Sequence, residues 1–225
     1  KRDIKKAYGI DDRKIMVAHN ACPDGFNVFT EDHKQLLRDK HSDGKEYFVY
    51  VGSLHPRKNV DVLIKAFSHF KSQYPNDHKL IIFGRVAFKT DAIKAAYEQS
   101  EHKEDIVFLG NEDADVKNIL AAAKALCYIS IFEGFGIPIL EAFSCGVPVI
   151  TSDVSSMPEV AGDAALLVNP QDINEISSAM HKITADKDLV ESLIEKGLKR
   201  KDVFSWESSA QTIMDNILSL SGTNN

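Results

Sequence analysis

The chain predicts an α/β fold: a doubly wound parallel sheet with helices on both faces. Two observations carry this. Short apolar runs alternate along the chain with longer segments of helical periodicity. Three of those runs also stop on a glycine: Tyr47–Val51 at Gly52, Leu80–Phe83 at Gly84, and Ile106–Leu109 at Gly110. Runs that are apolar throughout belong to strands covered on both sides. Helical connections between them make right-handed crossovers and hence parallel neighbours.

Taken in order, residues 1–9 read as the end of a helix and Ile15–Ala18 as a short strand. A loop runs from Asn20 to Phe29, a helix from Glu31 to Arg38, and a polar loop from His41 to Lys45. Tyr47–Val51 is the first strand of the main sheet, followed by the loop Ser53–Asn59. Val60, Leu63, Ile64, Phe67 and Phe70 recur at helical spacing, so Val60–Ser72 is amphipathic, with Asn59 placed to cap it. Leu80–Phe83, Ile106–Leu109 and Ala125–Ser130 are strands, with helices at Asp91–Gln99 and Val116–Lys124 between them. Val147–Ile150 and Ala164–Val168 complete six strands, with one helical turn at Met157–Val160. Three helices close the chain, marked by Ile173 to Ile183, Leu189 to Gly197, and Trp206 to Ile217, with Trp206 expected to anchor the last.

The 225 residues suffice for one large or two small domains, and 44% apolar content supports a proper core. A net charge of −6 argues against a nucleic-acid-binding surface but permits a local phosphate pocket. Cys22, Cys127 and Cys145 are widely spaced. They read as buried thiols in a reducing compartment, with no disulfide framework and no metal spacing. The sequence shows no signal peptide and no apolar run long enough to span a bilayer, so a cytoplasmic protein is expected.

The informative stretch runs from Ile129 to Ser152, I-S-I-F-E-G-F-G-I-P-I-L-E-A-F-S-C-G-V-P-V-I-T-S. It reads as strand, glycine turn, helix. Pro138 suits the first helical position and Gly146 stops the helix. Such a turn aims backbone N–H groups and the positive end of the helix dipole at one point, which makes an anion site. Glu133 lies on the turn and Glu141 about two turns inside the helix. Carboxylates beside a phosphate site are favourable only when they accept hydroxyl hydrogen bonds, so sugar or ribose hydroxyls are the expected partners. G-x-G alone also describes an ordinary βα turn, but that does not explain two glutamates set around it. Arg57 and Lys58 follow the first strand at the same sheet edge, where a cation pair can neutralise a diphosphate. In open α/β sheets ligands sit beyond the strands' carboxyl ends. The loops Ser53–Asn59, Gly84–Ala87, Gly110–Asp113 and Glu133–Pro138 are therefore expected to share one crevice.

Glu133-x7-Glu141, with E-G-F-G-I-P-I-L-E-A-F-S-C-G-V-P-V-I-T-S around it, resembles the signature of retaining family-four (group 1) glycosyltransferases. The likeness continues through S-S-M-P-E-V (155–160) and A-A-L-L-V-N-P (164–170) and covers roughly residues 46 to 220. It implies one Rossmann-like half of a GT-B fold, the C-terminal domain that binds a nucleotide-diphosphate sugar. Residues 46–225 would be that domain. Residues 1–45 would be the tail of the N-terminal domain and the linker, most of the N-terminal domain being absent.

The resemblance also implies roles. Glu133, Lys58 and Arg57 would serve catalysis: Lys58 contacts the diphosphate, and Glu133 faces the transferred sugar and stabilises charge at its anomeric centre. Glu141 would hold the ribose. Gly134, Phe135 and Gly136 would give backbone contacts to sugar and phosphate, with Ile137 shaping the helix start. Gly110 and Asn111 would lie near the base. Arg85 could reach a phosphate or be an exposed structural arginine. Many members carry a basic residue where this chain has Ser53; Arg57 could supply that charge.

No cofactor and no metal are needed by this logic, the nucleotide sugar being the substrate. V-G-S-L-H-P-R-K-N (51–59) resembles mannosyltransferase-like members and favours GDP-mannose over UDP-sugars. Expected partners are the nucleotide sugar, an acceptor sugar or lipid-linked glycan, and the missing N-terminal domain. The full-length protein is expected in the cytoplasm, at the inner face of the membrane. Without its acceptor domain this chain is expected to transfer sugar poorly or not at all. Two other classes stay open: a non-catalytic nucleotide-binding module, and a glycoside hydrolase using Glu133 and Glu141. Against the hydrolase, a loop Glu and a helix Glu flanking an anion site ill suit carboxyl groups about 5–5.5 Å apart. A dehydrogenase is disfavoured because G-F-G-I-P-I lacks the third glycine of G-x-G-x-x-G.

Overall fold

A computed structural model describes residues 1–85, 90–110 and 115–221. The chain divides into two compact units, one made of Lys1–Ala21 with Val203–Asn225 and one of Cys22–Asp202.

The larger unit is the predicted parallel sheet with flanking helices. Its strands are β1 (Tyr47–Val51), β2 (Lys79–Phe83), β3 (Ile106–Leu109), β4 (Ala125–Tyr128), β5 (Val149–Ser152) and β6 (Leu166–Val168). Their order is β3-β2-β1-β4-β5-β6, and all five pairings are parallel. α1 (Arg2–Tyr8) belongs to the smaller unit; the helices of the larger one are α2 (Glu31–Ser42), α3 (Val60–Gln73), α4 (Asp91–Glu98), α5 (Val116–Ala121), α6 (Ile137–Ser144), α7 (Met157–Ala161), α8 (Ile173–Ala185) and α9 (Lys187–Arg200).

β1, β2 and β4 are buried along their whole length, Lys79 at the start of β2 included, in keeping with their apolar runs. Phe48, Tyr50, Leu63, Phe67, Phe70, Ile82 and Met180 are among the residues of one core between sheet and helices. Strand order reverses direction between β1 and β4. The chain leaves β1 toward one side of the sheet and, after returning through β4, builds the other. Loops that exit these two strands diverge there and leave a crevice, the general place for ligands in such sheets.

In the smaller unit α1 (Arg2–Tyr8) ends at Gly9, and α10 (Trp206–Ser221) forms the last helix. His19 meets Phe204 edge to face with ring centroids 5.5 Å apart, and the Ser209 hydroxyl donates to the His19 carbonyl.

Several expectations need correction. Ile15–Ala18 is not a strand. Ile15 has extended dihedrals, but no ladder partner is present among the described residues, and Met16 and Val17 are exposed. Trp206 does not anchor α10 by burial, being half exposed, and Ile213, Met214 and Ile217 are exposed beside it. Helical spacing defines an apolar face but not what covers it. α2 runs on to Ser42, absorbing His41 from the expected loop, until Asp43 turns left-handed. Asn59 sits at the α3 cap position in the left-handed conformation, but its side chain makes no cap bond there; Nδ2 donates to the Pro170 carbonyl at 2.6 Å. Glu141 is only four residues past Ile137, where α6 begins, so it lies little more than one turn inside the helix and not two. Cys127 and Cys145 are buried free thiols, whereas Cys22 is only half buried.

Candidate functional site

The site is built where β1 and β4 end. After β1 the chain passes Gly52, Ser53 and Leu54 and makes one 3-10 turn at Pro56–Lys58. His55 Nδ1 accepts the Arg57 N–H at 3.2 Å and so caps that turn, while Asn59 closes it in the left-handed conformation. After β4 the chain runs through Ile129–Phe135 to Gly136, whose φ of 109° leads into α6. A side chain there would be strained and would press on Ile139. The two exits are tied together, since the Ile131 N–H donates to the Arg57 carbonyl at 2.9 Å.

Three predicted residues meet here. Arg57 Nη1 donates to Glu133 Oε2 at 2.8 Å and to the Phe132 carbonyl at 3.1 Å. Lys58 Nζ lies 2.6 Å from Glu133 Oε1, an ion pair off the hydrogen-bonding direction. Lys58 and Glu133 are both buried, their side chains 9% and 8% exposed, whereas the Arg57 side chain is 44% exposed. Lys58 is therefore no solvated surface residue. Burial pushes its amine below the usual lysine range, and the Glu133 contact opposes that. Burial alone would raise the Glu133 carboxyl, but its close contact with the Lys58 ammonium, followed by Ser130 and Arg57, holds it below its ordinary value.

Residues outside the sequence expectations hold the group in place. The Lys58 ammonium donates to the Tyr128 hydroxyl at 2.8 Å and stands 4.9 Å from the centre of that ring. Burial, then the Glu133 charge, keeps the Tyr128 phenol protonated far above its usual range. The Ser155 hydroxyl accepts the Glu133 N–H at 3.1 Å and lies 2.8 Å from the Glu133 carbonyl; the Ser156 hydroxyl lies 2.8 Å from the Phe135 carbonyl. Behind them Thr151 Oγ1 donates to the Tyr128 carbonyl and Ser152 Oγ to that of Ser130. The Ser155–Ser156 pair was visible in S-S-M-P-E-V, but nothing in that pattern says which carbonyls the hydroxyls reach. Tyr128 sits in an apolar strand run, so its hydroxyl gave no signal.

The other predicted residues are distributed around this group. Gly134 is exposed, Phe135 and Ile137 are half buried and Gly136 is buried, all on the loop or first turn of α6. The Ser53 carbonyl accepts the Tyr50 hydroxyl at 2.9 Å. Arg85 enters through its backbone, its carbonyl accepting the Leu54 N–H at 2.9 Å while its side chain is exposed. Gly110 follows β3, three strand positions from β4, or about 14 Å at ~4.8 Å per strand. Asn111 lies outside the described residues.

Glu141 is half buried on α6, and burial pushes its carboxyl up to about 7, with the Lys117 charge opposing. Lys117 in turn donates to the Asp24 carbonyl at 3.0 Å, and Cys22 Sγ is 3.3 Å from the Ser144 hydroxyl. Segment 22–26 and α5 thus frame the helix that carries Glu141. The arrangement offers two cations and a helix start for an anion, with a separate carboxyl on the same helix for hydroxyls.

The family described as glycosyl transferases group 1 matches residues 30–200. The chain belongs to the group 1 glycosyltransferases. Among relatives of this group 1 chain is the O-antigen chain mannosyltransferase B of Escherichia coli, 38% identical over 169 residues, which span 74% of this chain and 44% of that protein. Another is the O-antigen chain mannosyltransferase RfbU of Salmonella typhimurium, 32% identical over 184 residues, 81% of this chain and 48% of that one. The group 1 chain thus spans about half the length of these relatives. Its fold is shared by sucrose-phosphate synthase from Thermosynechococcus elongatus, with TM-score 0.82 and 22% identity over 99% of this chain and 57% of that one. Anabaena HepE in complex with UDP and glucose superposes with TM-score 0.79 and 20% identity, over 91% and 56% of the two chains. At these identities the likeness concerns the fold, the GT-B type of Rossmann-like domain.

Proposed function

We propose that this chain is the C-terminal, donor-binding half of a retaining glycosyltransferase that moves a hexose from a nucleotide-diphosphate sugar to a glycan acceptor. The observation that carries the proposal is the convergence of Arg57 and Lys58 on Glu133 at the β1/β4 crevice, beside the start of α6. The names of the relatives favour mannose, and with it GDP-mannose over UDP-sugars. In this proposal the diphosphate takes the place of Glu133 against the two cations. Arg57, Lys58 and the α6 dipole then stabilise the departing diphosphate. Glu133, released, faces the sugar and stabilises the charge growing at the anomeric centre. Glu141 accepts the ribose hydroxyls. The loop glycines and Phe135 offer backbone contacts, and the base lies toward Gly110 and Asn111. No metal takes part in these steps.

Residues 46–225 form the donor domain in this proposal, and residues 1–45 belong to the end of an acceptor-binding domain and its linker. The acceptor, a sugar or lipid-linked glycan, is bound by that other domain. No helix among the described residues is long and apolar enough to cross a membrane. The proposed place is the cytoplasm, at the inner membrane face.

One observation favours a glycoside hydrolase as second reading: Glu133 is held low while Glu141 is raised, the separation expected of an acid and a nucleophile. Glu133, however, is committed to two cations. Calorimetric titration with GDP, UDP and ADP, beside Lys58→Ala and Glu141→Ala, tests the proposal. Selective binding of GDP, weakened by both substitutions, is the expected result. Equal indifference to all three nucleotides, with cleavage of a glycoside in their absence, would favour the hydrolase.

A further inference from the structure

Lys58 brings an ammonium to the crevice on a long stem, and such a group is held only if its N–H donors are placed. Among the described residues its polar partners are Tyr128 and Glu133. The two differ in kind. Glu133 belongs to the mobile side of the proposed exchange, because an incoming diphosphate replaces it. Tyr128 belongs to the frame: it is the last residue of β4, 2% exposed, with its backbone in the ladder to β5 and its carbonyl bonded by Thr151. Its hydroxyl accepts one Lys58 N–H at 2.8 Å, which leaves the cation 4.9 Å from the ring centre, at the hydroxyl edge of the ring.

We infer that Tyr128 is a positioning residue, which fixes the Lys58 ammonium at the β1/β4 junction so that it meets the diphosphate of the donor. The inference rests on the donor-site proposal above. Its physical content is a buried cation with two anchors, one exchangeable and one permanent. With the permanent anchor removed, Lys58 must satisfy a buried donor elsewhere or withdraw from the crevice, and either change weakens a diphosphate contact more than a ribose or base contact. Phenylalanine keeps the ring and the packing and deletes only the oxygen.

The test compares the full chain with Tyr128→Phe, Lys58→Met and the double variant. GDP and GMP are titrated calorimetrically against each, and thermal melting checks that each is folded. Tyr128→Phe is expected to weaken GDP about tenfold, since a hydrogen bond to a charged group is lost. GMP, which lacks the second phosphate, is expected to lose less. In the double variant GDP is expected to bind no worse than in Lys58→Met alone, because Tyr128 acts through Lys58. Unchanged GDP affinity in Tyr128→Phe, or losses that add in full, would overturn the inference while leaving the donor site standing. A wild-type chain that binds no nucleotide overturns the donor-site proposal and the role of Tyr128 together.

A second measurement needs no nucleotide. The Lys58 amine, followed by NMR in protein carrying ¹³Cε-labelled lysine, is titrated. Loss of the phenol oxygen is expected to lower its pKa by about one unit, as an acceptor of the charged form is removed. An unmoved titration shows that the contact does not hold Lys58 and overturns the inference. A merely structural role of Tyr128 would shift melting but neither this titration nor the GDP-to-GMP contrast.

Discussion

A Cβ on Gly84 would lie 1.8 Å from the carbonyl oxygen of Gly52. The two residues end neighbouring strands, and the Gly52 N–H donates to the Phe83 carbonyl at 3.0 Å. The β1 and β2 exits therefore touch backbone to backbone, and the obstacle to a side chain is main chain. Gly84→Ala is expected to destabilise the chain by about 3 kcal/mol or more, because overpacking against backbone and an unfavourable φ of +156° act together. Chemical denaturation reads this directly. A stability change under about 0.5 kcal/mol would mean that the exits separate easily.

Lys58→Met leaves the buried Glu133 carboxylate with Arg57 as its remaining cationic partner. Breaking a buried pair from one side costs about 3–5 kcal/mol when nothing compensates. Half-exposed Arg57 offsets part of this, so about 2 kcal/mol is expected at pH 7. Lys58→Met/Glu133→Gln should recover much of the loss. Urea unfolding of the four-member cycle measures the coupling, and simple additivity would contradict the ion pair as described.

Glu133 and Glu141 should give opposite pH signatures. The Glu133 carboxyl is lowered in the folded chain, so its contribution is present above the unfolded value near 4.5 and is lost as pH falls below it. The Glu141 carboxyl is raised to about 7, so its protonated form favours the fold, and stability is lost as pH rises from about 4.5 through 7. For this half-buried group the loss is on the order of 2 kcal/mol once solvent screening is allowed for. Glu141→Gln is expected to flatten the stability profile between pH 5 and 7. Melting temperatures across that range would check it; an unchanged slope would place the titration elsewhere.

Ser156→Ala removes the hydroxyl that faces the Phe135 carbonyl. A cost of about 1 kcal/mol is expected. The larger effect should be on exchange, with the amide hydrogens of residues 133–136 losing protection while those of β4 keep theirs. Hydrogen exchange resolved by residue separates the two.

The fold was legible because its rules are local. Six apolar runs, glycine stops and helical spacing placed every strand of the sheet to within about two residues, and parallel pairing followed from the crossovers. Ile15–Ala18 failed because an apolar quartet does not announce whether a ladder partner exists. Trp206 failed for a related reason: its type suggests burial, but burial is a property of neighbours. At the site, Arg57, Lys58 and Glu133 were recognisable from residue type and position at strand ends. Their mutual pairing was not, since 75 residues separate Lys58 from Glu133 in sequence. The partners of Tyr128, Ser155 and Ser156 were hidden because hydroxyls act through geometry rather than pattern.

The cluster of Arg57, Lys58 and Glu133 has a further electrostatic consequence. Two cations and one carboxylate leave a single surplus positive charge at the crevice. On the proposed reading, a donor arrives not at a bare cationic trap but at an occupied ion exchanger. Counter-ions are swapped, with little bulk salt displaced, so affinity should depend only weakly on ionic strength, and the nucleotide's advantage must come from fit.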